Sequence, residues 1–509
     1  MKILALILVL ITLGSPLFGK DKEITILYTN DFHSAFDPIP AYWLEGSPKL
    51  GGAAYLSALI NELREEEDTV FLFDSGDMFT GMLANLTEGE ALMEMMMTME
   101  YDALGIGNHE FDYGIEPFKR GIHRVSFPVL GANIFYKGTD QLFSRAYTIL
   151  ERDGVRLGVI GIIGLDARSV ILPSYVEDLD FRDPIPYVRK GVKELKPLVD
   201  VIVVLTHQGK TGPMQTDAEH RPEVQRDFDE DIKLAGAVEG IDVIVSGHAH
   251  RGIEVPYIHP KTGTLIVQTY GYGTRLGYLK LFFDGERITR HEGKLLKVWS
   301  DKLKPDPLVE KKISYYKEKV DHIIGEVVGY SDIRLVRDYV AESSLGNFAA
   351  DVIREVTGSE IAFQNAGGLR ADLPEGPVTK GNILDAFPFH NTLVSTTMNG
   401  KQVKTILEQG LSMERGMIQV SGIKAIYDLK RPINNRLLSV EINGKPLGMK
   451  KKYKVGTQSF LAQGGDLYDT FLEGEYQDRK VNFSEEIINY LKVNKEIRKP
   501  EMGRLILKQ

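Results

Sequence analysis

Short apolar, β-branched runs recur over the first three hundred positions, at 24–29, 70–73, 103–106, 155–163, 201–206, 243–245, 264–269 and 278–283. Stretches of polar or helical pattern separate them, which predicts a layered α/β domain. The first three runs, and the fifth and sixth, each end in a polar cluster containing Asp, His or Asn. Just beyond the carboxyl ends of strands is where parallel sheets bind ligands. At Pro305-Asp306-Pro307 the pattern stops, and 308–324 then places Val309, Ile313, Tyr316, Val320, Ile323 and Ile324 at helical spacing. This reads as a connector over 305–325 between a domain at 20–304 and a second α/β domain at 326–509. In the latter, helices are expected over 345–356 and 400–411, and strands over 361–363, 437–442 and 453–457. Segment 92–99 holds five of the 14 methionines. It reads as helix core, since Met is a routine gap filler and the nearby metal candidates are hard N and O donors.

With 509 residues, 43% of them hydrophobic, the chain is too long for one compact core. Lys and Arg total 61 against 71 Asp and Glu, a formal charge of -10, which argues against a partner that is a nucleic-acid polymer. No cysteine is present, which excludes disulfides, thiolate zinc sites, iron–sulfur clusters and thiol nucleophiles together. The start is a separate object: Lys2, an apolar run from Ile3 to Leu13, then Gly14-Ser15-Pro16-Leu17-Phe18-Gly19 before charged residues. This predicts a secretory signal peptide over 1–19, a periplasmic or secreted mature chain, and no stable membrane insertion after cleavage.

The strand-end clusters carry the chemistry. Asp31-Phe32-His33 puts a carboxylate and an imidazole on one face of an extended chain. Gly76-Asp77 supplies a second carboxylate, and Gly107-Asn108-His109-Glu110-Phe111-Asp112 an amide oxygen beside an imidazole. His207 follows the fifth run, and Gly247-His248-Ala249-His250 places two imidazoles at i, i+2. Any one of these could be a capping aspartate or a buried core histidine. Five in order, converging on one sheet edge, would be a costly buried polar cluster without cations. Two divalent metals resolve that cost, with one carboxylate bridging them about 3.5–4 Å apart.

These motifs resemble the calcineurin-like metallophosphoesterase signature. In the second half, Asn365-Ala366-Gly367-Gly368-Leu369-Arg370, Phe387-Pro388-Phe389-His390-Asn391 and Gln463-Gly464-Gly465-Asp466 resemble the nucleotide-binding domain of secreted 5′-nucleotidases. The resemblance implies a four-layer αββα sandwich followed by a smaller α/β substrate-binding domain. It implies two divalent ions (Zn, Mn or Co), with Asp31, His33 and His250 on one, Asn108, His207 and His248 on the other, and Asp77 bridging. His109 and Asp112 match the family's catalytic dyad. Phe389 and Phe460 match the aromatic pair that sandwiches the base, and Asp466 the acceptor for ribose hydroxyls. Asn365 and Asn391 are implied near base and sugar, Gly422 where backbone approaches closely, and Arg370 and Arg337 at phosphate. Ala341 stands where the family commonly has a further arginine. The remaining histidines, His123, His220, His259, His291, His322 and His390, read as surface or loop residues, His390 alone being near a binding motif.

The implied function is a metal-dependent 5′-nucleotidase that cleaves nucleoside 5′-phosphates to nucleoside and phosphate by in-line attack of a metal-bound hydroxide. A 2′,3′-cyclic nucleotide phosphodiesterase or nucleotide-sugar pyrophosphatase is the alternative within that class. From another class, a nonhydrolytic nucleotide-binding module is disfavoured because no expected ligand is missing.

Overall fold

A computed structural model describes residues 21–41, 44–210 and 227–508. The expected signal peptide and His220 lie outside the described residues. Lys22–Thr29 is buried on both faces from Ile24 onward, as the near-continuous apolar run requires. It pairs parallel with Val70–Asp74 and antiparallel with Arg275–Phe283. Ala103–Gly105 and Val129–Leu130 continue the parallel side, and Ile288–Lys297 closes the other edge of this six-stranded sheet. A second six-stranded sheet is built around Val201–Gln208, parallel to Val155–Ile163 and Val243–His248.

The two-residue period of the strands assigns side chains to layers. Val201, Val203 and Leu205 share one core with Ile24, Ile26 and Tyr28 of the first sheet, so the two sheets pack face to face. Ile202 and Val204 point the other way, onto the helices Pro184–Leu195 and Asp229–Ala237. Leu27 and Leu72 face an outer layer that includes Ala53–Glu66, Glu90–Thr98 and Ile115–Arg124. The result is an αββα sandwich, with Met93, Met95 and Met96 buried in its outer helical layer.

The segment expected as a connector is the helix Pro307–Ile324, started by Asp306, whose side chain accepts from Leu308 N–H. It is no free-standing link: Val309, Ile313, Tyr316 and Val320 are buried in the outer core of the first sandwich. Beyond it, a five-stranded sheet runs Gln419–Ser421, Ile361–Gln364, Lys452–Gln458, Thr392–Asn399, Gln477–Asn482. The helices Ser344–Val356 and Gly400–Gly410 start at Ser343 and at an Asn399/Gln402 capping box. Three- and four-stranded sheets complete this unit.

Candidate active site

The strand ends meet where the two sheets of the sandwich open toward the C-terminal unit. Asp31 follows Lys22–Thr29, Asp77 follows Val70–Asp74, and Asn108 and His109 follow Ala103–Gly105. His207 and His248 lie within the ends of adjacent parallel strands, in register one residue apart, His207 opposite Gly247. Glycine precedes several of these residues because the loops nearly touch. A Cβ on Gly107 would lie 2.4 Å from Asp77 Oδ1, and one on Gly247 2.8 Å from His207 Nδ1. Asp31, His33, Asp77, His248 and His250 all adopt positive φ, between 46° and 72°. Non-glycine residues rarely do so, and such clustering of strain accompanies functional sites.

Three groups of ligand-type atoms each gather within 4.8 Å: Asp31, His33 and His250; Asp77, His207 and His248; and His33, Asp77 and His109. Nε2 of His33 and His250 lie 3.0 Å apart, and Asp31 Oδ1 is 3.1 Å from His250 Nε2. Nδ1 of both imidazoles is buried without a partner. Asp77 Oδ2 is 3.1 Å from His207 Nε2, and Asn108 Oδ1 is 3.2 Å from the same atom. His207 donates through Nδ1 to Ser75 O at 2.7 Å, which leaves Nε2 as the donor atom toward a cation. Burial, with Arg370 and His250 nearby, holds His33 well below the usual imidazole range. Burial opposes ionisation of Asp77, but His207 and His109 outweigh it and hold its carboxyl well below the usual range. At His207 burial is outweighed by Asp77 and Asp31, which push it up to about 10, so a cation there would displace a proton; the all-N/O donor set fits two divalent cations.

Around this cluster, Glu110 is buried and accepts from the N–H groups of Asp77, Met78 and Gly107 at 3.0, 2.8 and 2.7 Å. One carboxylate thereby ties two metal-bearing loops together. Burial and the charge of Asp77 push it up to about 7. Asp231 accepts from Thr206, Gln208 and Ser246 beneath the two histidine strands.

His109 Nδ1 lies 2.8 Å from Asp112 Oδ2, which also accepts from Thr80 Oγ1 at 2.9 Å. Burial disfavours the imidazolium, but Asp112 and Asp77 outweigh it and raise its pKa. The ring stacks on Phe389 of the C-terminal unit, with centroids 5.7 Å apart and planes 21° from parallel. Both units line one cleft, which collects His33, Asp77, Asn108, His109, Asp112, His248 and His250 with Asn365, Arg370, Phe389, Asn391, Phe460 and Asp466. Asp466 accepts from Asn365 Nδ2 at 2.6 Å, and burial raises its pKa despite Arg415. Asn391 donates to Gln458, whose amide donates in turn to Asn365 Oδ1.

Two residues expected at the nucleotide are not among those that line the cleft. Arg337 is absent from the cleft lining, and its backbone N–H donates to Asp372 Oδ1 at 3.0 Å. Gly422 does have positive φ, but a Cβ there would lie 2.4 Å from Glu360 O, so the close approach is to the chain's own backbone. Of the histidines read as surface or loop residues, His259 lies in a loop but is buried, and His390, the one near a binding motif, lines the cleft. No motif in the sequence singles out Tyr339, Tyr175, Arg415 or Asp166. The first three line the cleft, and Asp166 bonds both Arg415 and His248.

Residues 24–252 match the family description "calcineurin-like phosphoesterase", and residues 323–473 match "5′-nucleotidase, C-terminal domain". The chain is 28% identical to the 5′-nucleotidase of Bos taurus, over 95% of this chain and 92% of that protein. It is 29% identical to the trifunctional nucleotide phosphoesterase protein YfkN of Bacillus subtilis, over 89% of this chain but only 33% of that much longer protein. Among solved structures, a 5′-nucleotidase precursor from Thermus thermophilus superposes with a TM-score of 0.83 at 28% identity, covering 96% of this chain and 99% of the other.

Proposed function

The chain belongs to the metallophosphoesterase 5′-nucleotidases, and from that premise we propose that it cleaves nucleoside 5′-monophosphates to nucleoside and inorganic phosphate in the cleft between its two units. The observation that carries this reading is the contact of His109 with Phe389, which sets a candidate proton donor of one unit against a base-stacking ring of the other. Asp31, His33 and His250 would hold one cation, Asn108, His207 and His248 the second, and Asp77 both. Two divalent cations there supply the Lewis acidity and the activated water that two-metal phosphoester hydrolysis uses. Phe389 and Phe460 hold the base by stacking, which tolerates any nucleobase. Asp466 accepts from the ribose hydroxyls, with Asn365 fixing its orientation. Arg370 meets the phosphate with a planar fork, and its Nε is buried without a protein partner. His109 donates to the phosphoryl or leaving oxygen while Asp112 fixes its tautomer.

Similarity to a trifunctional nucleotide phosphoesterase favours a second reading, in which the same cleft also opens cyclic or sugar-linked phosphoesters. Action outside the cytoplasm is part of the proposal. It is supported by the leader-like pattern of residues 1–19 and by a site without thiolates; among the described residues no helix is long and apolar enough to cross a membrane. The test is phosphate release from AMP, ADP, ATP, 2′,3′-cyclic AMP and a UDP-sugar, with chelator and with Mn, Zn, Co or Mg restored. AMP hydrolysis that chelator abolishes and metal restores is the expected result. Hydrolysis indifferent to chelator would refute the two-metal reading.

A further inference from the structure

Arg415 reaches the cleft from the loop between the helix Gly400–Gly410 and the strand Gln419–Ser421. Its side chain is 5% exposed, and Nη2 donates to Asp166 Oδ1 at 2.6 Å and to Ser169 Oγ at 3.2 Å. Its Nε is buried without a partner. Asp166 belongs to the other unit, on the short helix Leu165–Ser169, and its second oxygen lies 3.3 Å from His248 Nε2. A single carboxylate therefore bridges a buried guanidinium and an imidazole of the proposed metal cluster. On its other side Arg415 acts electrostatically on Asp466 and Tyr339, which also line the cleft.

A guanidinium carries five N–H donors, and one carboxylate oxygen with one hydroxyl leaves most of that fork unused. Carboxylate and phosphate are alternative partners for the same fork. A phosphoryl group held at the His248 edge of the cluster would occupy the bridging position that Asp166 now takes. Asp166 is the more exposed partner, at 22%, so it can retreat toward water while Arg415 exchanges one anion for another. Resting on the nucleotidase reading, we propose that Arg415 is a phosphate-binding, specificity-determining residue of this chain, held poised by Asp166 until substrate phosphate displaces that carboxylate. It is a second arginine, beside Arg370, facing the reacting end of the cleft.

The test uses the full chain loaded with Mn and compares the natural protein with Arg415→Gln, Arg415→Lys and Asp166→Asn. It reads kcat and KM for AMP and the inhibition constants of inorganic phosphate and of adenosine. Arg415→Gln should raise the AMP KM and the phosphate constant on the order of ten-fold or more, while leaving the adenosine constant within about two-fold. Arg415→Lys should recover part of the loss, and Asp166→Asn should tighten phosphate by removing its competitor. A phosphate constant unchanged by Arg415→Gln, or equal weakening of phosphate and adenosine, overturns the proposal. So does Asp166→Asn weakening phosphate as much as Arg415→Gln, which would make the pair a scaffold between the units. If the natural protein releases no phosphate from AMP, the nucleotidase reading fails separately, and calorimetry of phosphate binding to it and to Arg415→Gln still decides the role of Arg415.

Discussion

Left-handed backbone at Asp31, His33, Asp77, His248 and His250 costs on the order of 1–3 kcal/mol per residue, which only an over-determined surrounding sustains. Glu110 is part of that surrounding, since its three backbone donors come from both sides of the ligand loops. Glu110→Gln cannot accept all three in the same way, and metal affinity is expected to fall about 10–100-fold, as read by titrating activity of the stripped enzyme with Mn. The neighbouring pair divides the work between chemistry and binding. His109→Ala should lower kcat on the order of 10²–10⁴-fold with little change in KM. Phe389→Ala removes one stacking face, worth about 1–3 kcal/mol, and should mainly raise KM. The opposite split in steady-state kinetics would mean that these two roles are exchanged.

Two helices show how elements take on duties that their patterns only half announce. Pro307–Ile324 was legible as an amphipathic helix, but which unit receives its apolar face is a property of the packed molecule. Ile313→Ala should therefore destabilise the first sandwich by about 2–4 kcal/mol in urea unfolding, whereas a solvent-exposed linker would lose only a few tenths. The helix Lys380–Ala386 docks its Asp385 onto the backbone N–H of Met82, at the start of Met82–Thr87 in the other unit. Burial pushes Asp385 up to about 6 from 3.8. The folded form thus holds this proton more tightly than the unfolded chain, so the contribution to stability is greatest below about pH 4 and declines as the pH rises through about 6. Asp385→Asn should flatten the pH dependence of Tm between pH 4 and 7, and an unchanged profile would place the titrating group elsewhere.

At the scale of the whole molecule, the proposed metal ligands and the proposed base-stacking rings belong to different units, joined across the cleft by contacts such as Asn85 Nδ2 to Pro388 O at 2.7 Å. With chemistry proposed on one unit and base stacking on the other, in contact through His109 and Phe389, turnover should require the units to open or rotate. A chain without cysteine allows a clean test. Asn85→Cys and Pro388→Cys, joined by a short bis-maleimide, should reduce turnover at least ten-fold relative to the uncoupled double variant. Undiminished turnover after coupling would refute the need for motion.

The amino-acid sequence alone announced the layered α/β architecture and the His, Asp and Asn residues that gather at the strand ends. Both are written locally, as period-two apolar runs and as polar residues at the ends of those runs, and a parallel sheet necessarily brings such ends together. It also marked Asn365, Arg370, Phe389 and Asp466, which sit in short glycine- and proline-bounded motifs. Only the tertiary structure decided which of the expected residues line the cleft, that Gln458 joins Asn391 to Asn365, and that Arg415 meets Asp166. The last two residues are 249 positions apart. A pair brought together by the packing of two units leaves no periodicity and no spacing in either segment, so nothing along the chain could have announced it.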